Sequence, residues 1–201
     1  MKRNDRSLVW LCMVALVACS SPTPTPPPPS VSTASSNVPG HAVREDIVRV
    51  SAVVEAIDHE TREVTLRDSE GKEVTFRADD SIRNLAQVQR GDRVDATYYR
   101  SLAIDLHKKG KATPGLSGVS AAGRAPVGDQ PRAAGGQTVT MVATIRALDR
   151  EKQTATLEGP DGQLTTIVVN NPAHFDVAQV GDLVEINYME AVAISVEKSE
   201  R

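Results

Sequence analysis

From Val48 onward the chain alternates between apolar and polar positions. Val48, Val50, Ala52, Val54 and Ala56 are interleaved with Arg49, Ser51 and Glu55, the period of a strand with one face buried. Val64 and Leu66 continue the pattern, Glu70-Gly71 supplies a hairpin turn, and Val74, Phe76 and Ala78 answer it. Asp79-Asp80-Ser81 then predicts the cap of a short helix that turns Ile82, Leu85 and Val88 inward. Gly91-Asp92 predicts a turn into a fourth strand, Val94, Ala96 and Tyr98. A fifth carries Leu102, Ile104 and Leu106.

The same order returns further along. At an offset of 91, Val48, Ala52, Ala56, Asp58, Glu60, Thr65, Leu66, Gly71 and Thr75 meet identical residues. After a one-residue deletion, Gly91, Asp92, Val94, Tyr98, Ala103 and Ile104 match at an offset of 90. Fifteen identities in one register with a single gap mark an internal repeat. The second hairpin turn is Asp161-Gly162, and the second helix opens at Asn171 with Pro172 in its first turn.

Five strands with a helix between the third and fourth is the strand order of the OB-fold, a partly open barrel. The sequence therefore predicts an all-β chain with one short helix per repeat. It would be built as two tandem five-stranded OB-like barrels, residues 46–107 and 138–198. Domains of about sixty residues bury only about 60% of their unfolded surface, so the two copies are expected to pack on one another. Tyr99 and Met189 follow the matched tyrosines at equivalent positions. They are candidates for an interface between the repeats or with a partner, the plainer alternative being two scattered surface residues.

Ahead of the repeats stands a different kind of sequence. Lys2, Arg3 and Arg6 precede the uncharged run Leu8–Ala18, whose 11 residues are too few to span a bilayer and fit the apolar part of an export signal. The run ends Leu16-Val17-Ala18-Cys19, which resembles the lipobox of bacterial lipoproteins. That resemblance implies removal of residues 1–18 and lipidation of Cys19, with membrane attachment through its acyl chains. Ser20 after the cysteine implies sorting to the periplasmic face of the outer membrane. Residues 19–45 then read as a disordered tether rich in proline and serine, with Pro22, Pro24 and Pro26–Pro29 in polyproline II. A spacer is the simpler role, a proline-rich docking ligand the alternative. Residues 108–137, rich in Gly, Ala and Pro, read as a basic linker that either stays solvated or touches anionic headgroups or the barrels.

Charge and composition narrow the chemistry. Without residues 1–18 the chain has 20 basic and 25 acidic side chains, five aromatics and Cys19 as its single cysteine. That excludes a disulfide scaffold and a cysteine metal cluster, and argues against nucleic acid as a partner. His41, His59, His107 and His174 have no partner at motif spacing, and no P-loop, dinucleotide fingerprint or HExxH is present. The recurring Asp58/Glu60 and Asp149/Glu151 are turn residues on this reading, as are the Gly-Asp pairs. No enzyme and no cofactor are expected.

The barrel pattern is also similar to periplasmic copper chaperones, which share the strand order and hold Cu(I) with a His and methionines beside a Trp. Here no Trp follows residue 18, and the methionines are Met141 and Met189, both in the second repeat, so the likeness carries no metal site. The succession A-x-D, V-T-L, G-D-x-V and a tyrosine strand resembles repeats in uncharacterised exported proteobacterial proteins, which implies location and fold. The expectation is a non-enzymatic envelope lipoprotein that binds or scaffolds another envelope protein or glycan. The alternative is a periplasmic metal- or small-ligand-binding protein.

Overall fold

The computed structural model of the protein describes residues 25–80 and 82–199. The export signal, Cys19 and the first prolines lie outside the described residues. Ten strands follow in order: β1 (Ser30–Val38), β2 (His41–Asp58), β3 (Glu63–Asp68), β4 (Glu73–Arg77), β5 (Arg93–His107), β6 (Gly115–Arg124), β7 (Arg132–Asp149), β8 (Thr154–Glu158), β9 (Leu164–Val168) and β10 (Leu183–Glu197). A 3-10 turn over Leu85–Gln87 precedes β5, and a four-residue helix, α1 (His174–Val177), precedes β10. All pairings are antiparallel in one sheet ordered β4-β3-β2-β5-β10-β7-β8-β9, with β1 beside β2 and β6 beside β7. The fold is all-β.

Residues 91 apart before the one-residue deletion, and 90 apart after it, play the same part in the two halves, β1–β5 and β6–β10. Both long strands, β2 and β7, carry a bulge, between Val54 and Ala56 and between Ile145 and Ala147. The bulge bends each strand, so its first part serves the central sheet and its end curls away with the short strands beyond it. Arg62 and Gln153 hold the same positive φ, 62° and 52°. Val54 N–H donates to Asp92 O, and Ile145 N–H to Asp182 O, each at 2.9 Å.

The halves join along the whole of β5 and β10, from Arg93 opposite Glu197 to His107 opposite Leu183. At the centre Arg100 faces Glu190, and these two hold equivalent places in their halves. The pairing therefore has a local twofold axis through them.

Two small cores flank that axis. The first gathers Val54, Val64, Leu85 and Val88 and takes in Val196 from β10. The second gathers Ala143, Ile145, Ala155, Leu157 and Val184, with Ile104 and Leu106 from β5 packed against it. Each half thus completes the core of the other, and each exchanged Val, Leu or Ile contributes roughly 1.5–3 kcal/mol when fully buried.

Several expectations are corrected. The fourth and fifth strands of each repeat are one 15-residue strand, because Tyr99-Arg100-Ser101 offers no turn former and pairs on both sides. Part of the expected tether is β1, and the expected linker holds β6 and the start of β7. Their residues lack alternation, and they pair because long β2 and β7 present an open edge to a neighbouring segment. Ile82, expected to point inward, is exposed, whereas Leu85 and Val88 are buried as their spacing implies. Phe76 and Tyr98, which alternation places on the apolar side of their strands, are also exposed.

Candidate functional site

Strand alternation sends Tyr98, Arg100 and Leu102 of β5 to the same face as Tyr188, Glu190 and Val192 of β10. The centre of that face is a polar row. Arg100 donates to Asp46 Oδ2 at 2.8 Å, and Thr33 donates to Asp46 Oδ1 at 2.9 Å. Glu190 accepts from Tyr188 Oη at 2.8 Å, from Gln137 Nε2 at 2.5 Å and from Tyr98 Oη at 3.5 Å. Hydrogen bonds from Arg100, Arg44 and Thr33 hold the Asp46 carboxyl down at about 2. The hydrogen bond to Glu190, with partial burial, pushes Tyr188 up to about 12. Asp46 pairs with Arg100, and Glu190 is held by the hydroxyl and amide donors around it.

Apolar rows flank it. Val48 lies opposite Tyr98, and Tyr98 opposite Val192; Leu102 lies opposite Tyr188, which lies opposite Val139. One row further out, Val50 and Ile194 sit on either side of Ala96. Tyr98, Leu102, Val50, Val192 and Ile194 are between 38% and 45% exposed. This face lies open between the two cores.

Tyr99 and Met189 occupy the opposite face, on adjoining strands at the junction of the halves. Tyr99 is paired with Ala191 and donates to Glu45 Oε1 at 3.0 Å; Met189 is paired with Ser101 and is exposed. The same face carries two His–carboxylate pairs that sequence spacing could not reveal, His41 Nδ1 to Asp105 Oδ1 at 2.6 Å and His107 Nε2 to Glu185 Oε2 at 3.0 Å. Both come from strand pairing between residues 64 and 78 positions apart. Cys19 lies outside the described residues.

Hydrogen bonds lock the halves crosswise. The turn joining β1 to β2 reaches α1, where Gly40 N–H donates to His174 Nδ1 at 3.1 Å and Asn171 Nδ2 donates to Asn37 O at 3.1 Å. The loop joining β6 to β7 reaches the 3-10 turn in the same way: Asn84 Nδ2 donates to Pro126 O at 2.6 Å, and Gly128 N–H to Asn84 Oδ1 at 3.2 Å. The Gly-Asp turns complete the exchange. Buried Asp92 accepts from Ser199 N–H at 3.3 Å, and buried Asp182 from Lys109 N–H at 3.2 Å and Lys108 Nζ at 2.9 Å. Burial raises the Asp182 pKa, but Lys108 and the amides of Lys109 and Gln179 outweigh it and hold the carboxyl below its usual range.

Beneath the first of these contacts lies a cavity of about 190 Å³ in the second half. Ile104, Leu106, Leu157, Ile167, Phe175 and Val184 line its interior, while Asn37, Asn171 and His174 stand at its mouth. The polar turn acids are plain local structure: Asp58 Oδ1 accepts from Glu60 and Thr61 N–H, and Asp149 Oδ1 from Lys152 N–H. Among the described residues no three His, Cys, Asp or Glu side chains cluster as metal ligands, and no helix is long and apolar enough to cross a membrane. Searches of protein-family models, curated proteins and solved structures return no match to this chain.

Proposed function

We propose that this chain is a non-enzymatic binding module of the bacterial cell envelope. It is held through lipidated Cys19 at the periplasmic face of the outer membrane, and it docks another envelope component on the open face around Tyr98, Leu102 and Val192. The observation that carries this reading is the exposure of those large apolar side chains on one face. Large apolar side chains exposed together on either side of a polar row mark an interaction site. A protein partner fits better than a glycan. The exposed groups are mostly Val, Leu and Ile, and at the centre Arg100 is engaged with Asp46 and Glu190 with Tyr188 and Gln137, which leaves them few free bonds for sugar hydroxyls.

A photo-crosslinking residue placed at Leu102 or Val192 in intact cells tests this. We expect a discrete protein adduct from both positions, absent from the same probe at exposed Val127. Adducts to glycan alone would transfer the reading to that class. Equal adducts from Val127, or none from the face, would overturn it.

Each half is taken as an OB-like barrel opened by its long strands. The support is the bulged β2 curling into β3 and β4, a helical turn, and a return strand, with the same order in β7–β10. The alternative of a copper-chaperone-like metal protein has less behind it. Met141 is paired with Ile186 and Met189 with Thr138, which sends the two thioethers to opposite faces. Titration with Cu(I), Cu(II) and Zn(II) separates the two: micromolar or tighter binding would promote the metal reading.

A further inference from the structure

We infer that the cavity of the second half is a binding site for a small, uncharged, largely apolar molecule. This develops the small-ligand alternative and is independent of the docking face. The repeat alignment marks two positions inside it. Ala155 and Ala178 line it, and the equivalent positions of the first half hold Val64 and Val88, both buried in that core. Each exchange withdraws two methyl carbons at its own position, while Ile145, Val169 and Phe175 of the same lining exceed their counterparts Val54, Ala78 and Leu85.

Size and lining define the ligand. An apolar cavity of about 150 Å³ stays dry and accepts benzene, so 190 Å³ accommodates a body of roughly six to ten non-hydrogen atoms. Among the described residues no Asp, Glu, Lys or Arg lines the cavity, so a charged ligand would lose its hydration without gaining a partner. The mouth is different in kind: Asn37, Asn171 and His174 are joined there by hydrogen bonds of their own, and the Asn170 amide beside them is the group to meet a hydroxyl or amide. An apolar ring or short chain bearing one such group matches both ends. Because Asn37 and Ile104 come from the first half and Leu157 and Phe175 from the second, the ligand would touch both.

The test uses the full chain with indole, benzene and 1-hexanol as probes, and benzoate and hexylammonium as charged counterparts, followed by NMR titration and thermal unfolding. We expect saturable binding of at least one neutral probe with millimolar or tighter affinity. Its charged counterpart should bind at least tenfold more weakly. The double substitution Ala155→Val and Ala178→Val, which installs the side chains of the first half, should weaken that binding at least tenfold while the chain stays folded. Should the pair fail to fold, Ala178→Val alone serves. Absence of saturable binding by every neutral probe, or affinity unchanged in the folded cavity-filled variant, would overturn the inference.

Discussion

Gly40 N–H donates to His174 Nδ1 at 3.1 Å across 134 residues of chain, and Gly128 N–H makes the corresponding bond to Asn84 Oδ1 at 3.2 Å. Both tie a turn of one half to the helical segment of the other. Together with the exchange of Val196 and Leu106 between cores, they make the two repeats a single cooperative unit. His174→Ala or Asn84→Ala should each lower stability by about 0.5–1.5 kcal/mol, the net worth of a typical hydrogen bond. Urea unfolding followed by circular dichroism should stay a single transition in both variants. Two separate transitions would show that the halves melt as independent beads.

Gly71 and Gly162 hold φ of +84° and +78° in their hairpin turns, and among the described residues nothing lies within 4 Å of the place a Cβ would take. Substitution there meets backbone strain and no clash. Gly71→Val or Gly162→Val should therefore cost about 1–3 kcal/mol, and the loss should spread over the whole molecule through the shared cores. Thermal unfolding of each variant measures it. No change in midpoint would mean that the turns relax freely.

The Asp46 carboxyl is held at about 2, below its ordinary value of 3.8, by Arg100, Arg44 and Thr33. A depressed folded-state pKa stabilises the protein above the unfolded value and loses that contribution as pH falls through the folded one. Wild-type stability should therefore fall between about pH 4 and pH 2. Asp46→Asn should start lower at neutral pH and show a shallower fall across the same window. Parallel slopes for the two proteins in acid urea titrations would remove Asp46 from this role.

Cys19 carries the anchoring proposal, on the strength of the basic start, the apolar run and the LVAC sequence. Labelled palmitate should enter the wild type and not Cys19→Ser, whose precursor should remain unprocessed. Equal labelling of both would detach the protein from the membrane in this account.

What the sequence discloses is local. Gly71, Gly162 and the Gly-Asp pairs reveal themselves because a turn depends on the residues that make it. Val54, Val64 and Leu157 do so because alternation depends on one buried face. β1 and β6 are invisible by those means: Ser30–Val38 and Gly115–Arg124 are poor in large apolar residues and nearly every side chain is exposed. Pairing with a neighbouring strand defines them. Tyr98 looks like core for the same reason that Val94 does, since both share one alternation. Only the position of the cores at the ends of the sheet leaves the tyrosine uncovered. Ala155 and Ala178 against Val64 and Val88 is a difference that the repeat alignment contains but that has no meaning until both are seen to face inward.

The local twofold axis through Arg100 and Glu190 bears on how such a molecule can exist. If one half alone associated with its own copy in this geometry, the contact would be isologous, and the residue on the axis would face itself. Two copies of the first half would oppose arginine with arginine, and two of the second glutamate with glutamate, each a destabilising like-charge pair. Covalent linkage removes that constraint. With both halves in one chain, the axial positions can differ in sign, and so can everything related by the axis. One half can fill its interior with Val64, Leu85 and Val88 while the other places Ala155, Phe175 and Ala178 at the equivalent positions.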